Sequence, residues 1–280
     1  MRVDLVRRYR RTALLDIDPG LTQVWFAQGR IDMAPHDVYF TIGETVGQPN
    51  ARFPDNGLPW QYTPPCVALD WWPVARAPSN AAFTTVTHWG CEEWMVEDGE
   101  VYANDKRTAF LSYLELPSRT DQPLELAIPA YREYVEANNG YFARWDQEER
   151  ANLGAHGWRM RDSEAVSATP CDYQRYIQQS RGEFSCVKPS CIRLQNAWIS
   201  DRTICYLASG KPAVVQHTGP SRFLPDDEGL VRFHSLDDAA RRLETVAADY
   251  DRHCHLARSL AEEYFDARKV AASVLERALG

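Results

Sequence analysis

From Gly157 onward, short apolar runs alternate with longer stretches whose apolar residues recur every three or four positions. "AVVQ" (Ala213 to Gln216) is too short and too β-branched for a buried helix, so it reads as a buried parallel strand. "GWRMRDS", "EFSCVK" and "LVRF" read as further strands, and "PCDYQRYIQQS" as a helix with Tyr173, Tyr176 and Ile177 on one side. Between two of these strands, Ser200 fits a helix N-cap, Gly210 the left-handed residue that closes the helix, and Pro212 its stop. "SLDD" (Ser235 to Asp238) starts a long helix whose stripe runs through Leu236, Ala239, Ala240, Leu243, Val246, Ala247 and Tyr250. Strands and helices alternating at these lengths predict a parallel sheet with helices on both faces, a Rossmann-like unit.

The N-terminal half is less regular. "ALLDI", "DVYFTIG", "CVALDWW" and "FTTVTH" read as short buried strands, and the Pro-rich "GLPWQYTPPC" as a loop. "DKRTAFLSYLELP" and "LELAIPAYREYVEANN" read as helical, with Pro129 breaking the second. Six of the nine tryptophans fall between Trp25 and Trp94, where core packing is favoured over an acceptor pocket.

Composition narrows the function classes. At 280 residues the chain suits two modest α/β domains or one large one, and it is expected to divide near residue 150 into 1–150, 151–265 and a final helix over 266–280. With 44% hydrophobic and 11% aromatic residues it can fill a core. A formal charge of −8 argues against duplex nucleic acid as a partner and leaves room for a local basic pocket. No apolar run reaches membrane-spanning length and the first residues lack a signal peptide's apolar core, so a cytoplasmic protein is expected. Seven cysteines without a CxxC pair read as free thiols. "HCH" at His253 to His255 is no metal cluster, because successive helix residues point in different directions. No metal or cofactor is expected.

The order from "SRGEFSCVK" through "WISDRTICYLASGKPAVVQHTG" to "DDEGLVRFHSLDDAARRLETVAADYDRHCHLARSLAEEYFDA" resembles the C-terminal, donor-binding domain of GT-B glycosyltransferases, and one bacterial branch in particular. "DIDPGLTQVW", "FTIGETVGQP" and "ELPSRTDQPLELAI" resemble that branch's acceptor half. The resemblance implies an α/β fold of two Rossmann-like domains facing a cleft, with a last helix, about Asp266 to Leu279, crossing back to the N-terminal domain. It implies a metal-independent enzyme that moves a sugar from a nucleotide-sugar donor to a small-molecule or glycan acceptor. Two departures stand out. Many GT-B enzymes carry a Glu five residues before the helix-closing Gly; here Cys205 stands there, and Asp201 is the nearby acid. The opening "MRVDLVRRYRRTALLDID" resembles the interior of the first domain, so a shortened N-terminal unit is expected.

A departing nucleoside diphosphate needs positive charge and N–H donors. Ser200, Asp201 and Arg202 open one helix, and Thr218, Gly219 and Ser221 form the loop after the next strand. Gly219 suits a close backbone approach. Lys188 and Arg193 are candidate diphosphate cations, or else solvated surface charges. Asp201 is a ribose ligand or a dipole-favoured helix start; Glu228 binds a hydroxyl or holds its turn. An inverting transfer also needs a general base from the N-terminal side, and Asp18, Glu44 and His88 sit at strand ends. Glu44, between two glycines, is favoured over the others, the alternative being a turn cap. Two further readings stay open: a GT-B-shaped nucleotide-binding protein without turnover, and a nucleotide-sugar epimerase. A Rossmann oxidoreductase is disfavoured because no GxGxxG follows a strand. Exposed N-terminal sheet edges invite a homo-oligomer.

Overall fold

A computed structural model of the chain describes residues 6–78, 80–90, 94–130 and 141–280. In chain order, β1 (Ala13–Asp16), α1 (Leu21–Ala27), β2 (Val38–Thr41) and β3 (Trp60–Tyr62) form a first unit. There follow β4 (Phe83–Val86), the hairpin β5 (Trp94–Glu97) and β6 (Glu100–Ala103), α2 (Lys106–Leu111) and β7 (Leu124–Ile128). Next come α3 (Tyr141–Ala155), β8 (Arg159–Asp162), α4 (Ser163–Ser167), α5 (Pro170–Gln179), β9 (Gly182–Ser185), α6 (Pro189–Leu194) and α7 (Asp201–Ala208). The chain ends with β10 (Ala213–Gln216), β11 (Leu230–Phe233), α8 (Leu236–Ala248), α9 (Tyr250–Tyr264) and α10 (Ala267–Leu279).

Two parallel sheets result, a three-stranded one in the order β1-β2-β3 and a six-stranded one in the order β11-β10-β9-β4-β7-β8. The second starts at its centre. The chain runs outward through β7 and β8, crosses back to lay β9 beside β4, and continues through β10 and β11. Strand order therefore reverses between β4 and β9, the place where open α/β sheets leave a crevice at their C-terminal strand ends.

This topology corrects the expected division at residue 150. β4 and β7 lie far upstream of it and still pair inside the six-stranded sheet. "LELAI" is corrected too: Leu124–Ile128 is a strand buried between β4 and β8, because parallel pairing overrides the helix-like spacing of the residues around it. The part of that expected helix over 131–139 lies outside the described residues. "CVALDWW" forms a single bridge at Val67 and a short turn of 3-10 helix over Leu69–Trp71 instead of a strand.

The larger core is aromatic. Phe184 stacks on Phe233 with centroids 5.2 Å apart, and Phe110 and Trp158 pack around it. Gly182 opens β9 because any side chain would enter the Phe83 ring and stand 2.4 Å from the Pro212 carbonyl oxygen. The smaller sheet borrows cover. Met95 of the hairpin and Leu194 of α6 complete the cluster made by Leu21, Val24, Val46 and Phe53. The last helix returns as expected: at its start the Val67 amide donates to the Phe265 carbonyl at 2.8 Å and the Val67 carbonyl accepts from the Ala267 amide at 3.0 Å, and Arg277 donates to the Tyr62 carbonyl at 2.9 Å while lying over Phe40. Among the described residues no helix is long and apolar enough to cross a membrane.

Candidate functional site at the inter-sheet cleft

The C-terminal strand ends of the two sheets face each other. Between them lies a cavity of about 40 Å³, walled by Ile17, Asp18 and Pro19 after β1 and by Asn104, Lys106, Lys188, Ser190, Asn196 and Trp198 from the other unit. Asp105 caps α2 by accepting the Thr108 amide at 2.6 Å, which fixes Lys106 in the first helical turn. The Lys106 side chain is buried, donates to the Cys186 carbonyl at 2.5 Å and lies 5.9 Å from the centre of the Trp198 ring. Burial, with the Arg202 charge nearby, pushes its ammonium down to about 8. The Lys188 side chain makes no hydrogen bond or ion pair among the described residues, and Asp18 is exposed on the opposite wall. Beside the cavity the walls are joined by bonds from Asn196 to the Pro19 carbonyl at 2.6 Å and from Thr45 to the Gln195 carbonyl at 3.3 Å.

Trp198 also walls a second, smaller cavity of about 20 Å³, where Ser200, Arg202 and Thr218 meet. Ser200 is the N-cap of α7, as expected, accepting the Arg202 amide at 3.2 Å. Asp201 is exposed and accepts the same amide at 3.0 Å. Cys205 packs against the apolar cluster under α7, and burial with the Asp201 and Glu183 charges pushes its thiol up to about 12, so it stays neutral.

Several expected donor ligands are engaged elsewhere. The Arg202 guanidinium is tied to Glu183 at 2.8 Å, the Val86 carbonyl at 3.0 Å and Ser185 at 2.7 Å, pinning the ends of β4 and β9 rather than facing a diphosphate. Arg193 faces the hairpin, 3.2 Å from Glu97 and 3.1 Å from Asp98, so the expectation of a free cation is corrected. Thr218 donates to the Trp198 carbonyl at 2.7 Å. Gly219, at φ 131°, is required by the protein's own backbone: a Cβ there would stand 2.6 Å from the Gln195 carbonyl oxygen. Glu228 is exposed beside α9, lining a surface groove away from the cleft cavities.

Glu44 is corrected as well. It is 1% exposed, with Ser221 donating to one carboxylate oxygen at 2.5 Å and the Arg222 amide to the other at 2.7 Å. Arg222 returns a bond to the Glu44 carbonyl at 3.0 Å, and Phe223 stacks on Tyr62 at 5.3 Å. Glu44 thus latches the loop after β10 to the small sheet and presents no free oxygen to a substrate. Of the three carboxylate and imidazole candidates, Asp18 is the one that lines the cavity.

Sequence reasoning missed Lys106, Asn104 and Trp198. "NDK" after an apolar run carries a signal, since an Asp N-cap places the following Lys at a helix start beneath a strand end. His253 of the "HCH" run is buried, and its Nδ1 faces the Gly229 amide at 3.4 Å.

No family model and no curated protein matches the chain. Solved structures do. A glycosyltransferase from Rickettsia africae superposes with a TM-score of 0.53 at 11% identity, over 86% of this chain and 62% of that one. Sucrose-phosphate synthase from Thermosynechococcus elongatus gives 0.60 at 12%, over 98% and 70%. Anabaena HepE, solved with UDP and glucose, gives 0.55 at 10%, over 86% and 62%. This chain thus spans under two thirds of the length of the Rickettsia and Anabaena proteins. The fold is that of the GT-B glycosyltransferases: α/β, with two Rossmann-like units facing a cleft and a last helix crossing back.

Proposed function

We propose that the chain binds a nucleotide-sugar in the inter-sheet cleft and transfers the sugar to an acceptor entering from the β1 side. The observation that carries this reading is the buried Lys106 ammonium at the strand-order reversal, with Lys188 beside it and Asp18 opposite. Two cations and the α7 N-terminus would neutralise the departing diphosphate, and Trp198 offers a flat face to a sugar or base. Asp18 replaces Glu44 as the acceptor-side base of an inverting transfer. HepE, solved with UDP and glucose, lends support because it shares the fold.

A cavity of about 40 Å³ is too small for such a donor, whose pocket needs ~300 Å³ or more. Binding would therefore open the cleft at the Asn196–Pro19 and Thr45–Gln195 bonds. The engagement of Glu44 by Ser221 and Arg222 favours a second reading, nucleotide binding without transfer.

The test is thermal stability against UDP-, GDP-, ADP- and TDP-sugars, followed by product analysis. One nucleotide is expected to raise the melting temperature of wild type and Arg193→Ala alike. Lys106→Met should weaken its binding by about 10- to 100-fold, the worth of a charge-assisted hydrogen bond. Asp18→Asn should bind normally and make no product. No shift with any nucleotide, or full affinity in Lys106→Met, sinks the proposal; binding with no product from any acceptor selects the second reading.

A further inference from the structure

An uncovered strip runs along the outer edge of the small sheet. Among the described residues β1 is an edge strand, paired on one side with β2. Leu14 and Asp16 turn inward and are buried, whereas Leu15 is 54% and Ile17 63% exposed. Leu15 pairs in register with Phe40, which is covered by Arg277 of α10. The last helix thus covers β2 on this face and leaves β1 open. At the other end of the strip, Gly280 lies against Arg11, bringing the C-terminal end of α10 beside the segment Arg7–Arg11. Leu275 and Leu279, one turn apart on α10, are 60% and 72% exposed.

The segment "RRYRR" concentrates charge. Arg7, Arg8, Arg10 and Arg11 are all exposed in a chain of net charge −8, with Tyr9 71% exposed among them. Arg7, Arg8 and Arg10 make no ion pair among the described residues, and the Arg11 charge faces Asp37. Basic side chains, an aromatic and aliphatic residues on one strip are the composition that settles into an anionic lipid interface.

We infer that the strip from Arg7 through Tyr9, Leu15 and Ile17 docks this protein onto an anionic lipid surface. The arginines meet headgroup phosphates and Tyr9, Leu15, Ile17 and Leu279 enter the headgroup–acyl boundary. A polyanion such as nucleic acid matches the arginines and leaves the aliphatic residues without a role. A two-fold pairing of this face would set the arginines of one copy against those of the other. The strip ends at Ile17, which also walls the cleft cavity. Docking here holds the mouth of the cleft at the lipid surface. The inference does not depend on sugar transfer.

The experiment is co-sedimentation of the full chain with phosphatidylcholine vesicles, with and without phosphatidylglycerol. Binding is expected only with phosphatidylglycerol and is expected to fall as salt rises. The triple variant Arg7→Gln, Arg8→Gln, Arg10→Gln should partition about a hundredfold more weakly, about fivefold per arginine. Ile17→Ser should weaken binding without altering its salt dependence. All four positions are exposed, so an unchanged melting temperature checks that the variants fold. Equal binding to both vesicle types, an unchanged triple variant, or no vesicle binding by a protein that instead retains polyanions or self-associates through these arginines would overturn it.

Discussion

In the six-stranded sheet, Phe184 stacks on Phe233 and is ringed by Phe110, Tyr113 and Trp158, all from the same unit. In the three-stranded sheet, Phe40 is covered by Arg277 of the last helix, and the face under α1 is closed by Met95 and Leu194 from the other unit. One sheet supplies its own core and the other leans on its neighbour. The cleft is therefore a contact between a stable body and a dependent one, and any opening motion belongs to the dependent side.

The sharpest way to break this comparison is Phe184→Ala. Truncating a fully enclosed ring at the centre of the larger core should cost about 3–5 kcal/mol. Since the small sheet leans on this unit, both should unfold in one transition, read by calorimetry. A surviving second transition would show that the small sheet holds itself.

Glu44→Ala tests the other half. It leaves the Ser221 hydroxyl and the Arg222 amide without their acceptor and frees the loop after β10. The expected loss is about 1.5–3 kcal/mol, the range for hydrogen bonds to a charged group. Hydrogen exchange should accelerate at the Arg222 amide and stay slow through β9 and β10. Equal acceleration in β10 would mean that the latch supports the large sheet too.

The same contrast explains what could be read from the sequence. The expected strands at "ALLD", "VYFT", "AVVQ" and "LVRF" and the caps Ser200 and Ser235 rest on local chemistry, and the structure has them. The sheet assignment of β4 rests on a partner, β9, that arrives much later in the chain, and β7 joins the sheet through β4. The site was hidden for the same reason. Lys106 is buried through a carbonyl 80 residues away, and Arg193 is held by an aspartate 95 residues away. A sequence shows that a cation is present, and only the fold decides which cation keeps its charge for a ligand. Arg193 and Arg202 looked as suitable as Lys188 until Glu97, Asp98 and Glu183 were placed beside them.

The smallest expected effect is a gain. Lys211, between α7 and β10, is fully buried, and among the described residues its ammonium has no hydrogen-bond partner. Burial pushes it down to about 8, with Cys254 the nearby group acting in the opposite direction. In the unfolded chain a lysine titrates at about 10.4, so between these values the folded state binds fewer protons than the unfolded one. This group therefore makes stability rise with pH across that window and weighs against folding below it. Lys106 adds a similar slope, since it too is lowered to about 8. Lys211→Met keeps the volume and removes the unpaired charge, and should stabilise the protein at neutral pH by about 1–3 kcal/mol, the cost of an unsatisfied buried polar group. Its stability should also rise less steeply from pH 8 to 10 than wild type, the remaining slope belonging to Lys106. Denaturant midpoints at pH 7 and pH 10 measure both effects. An unstabilised variant with the wild-type slope would place the Lys211 ammonium in contact with water, and the larger unit would then be less tightly closed than its aromatic core implies.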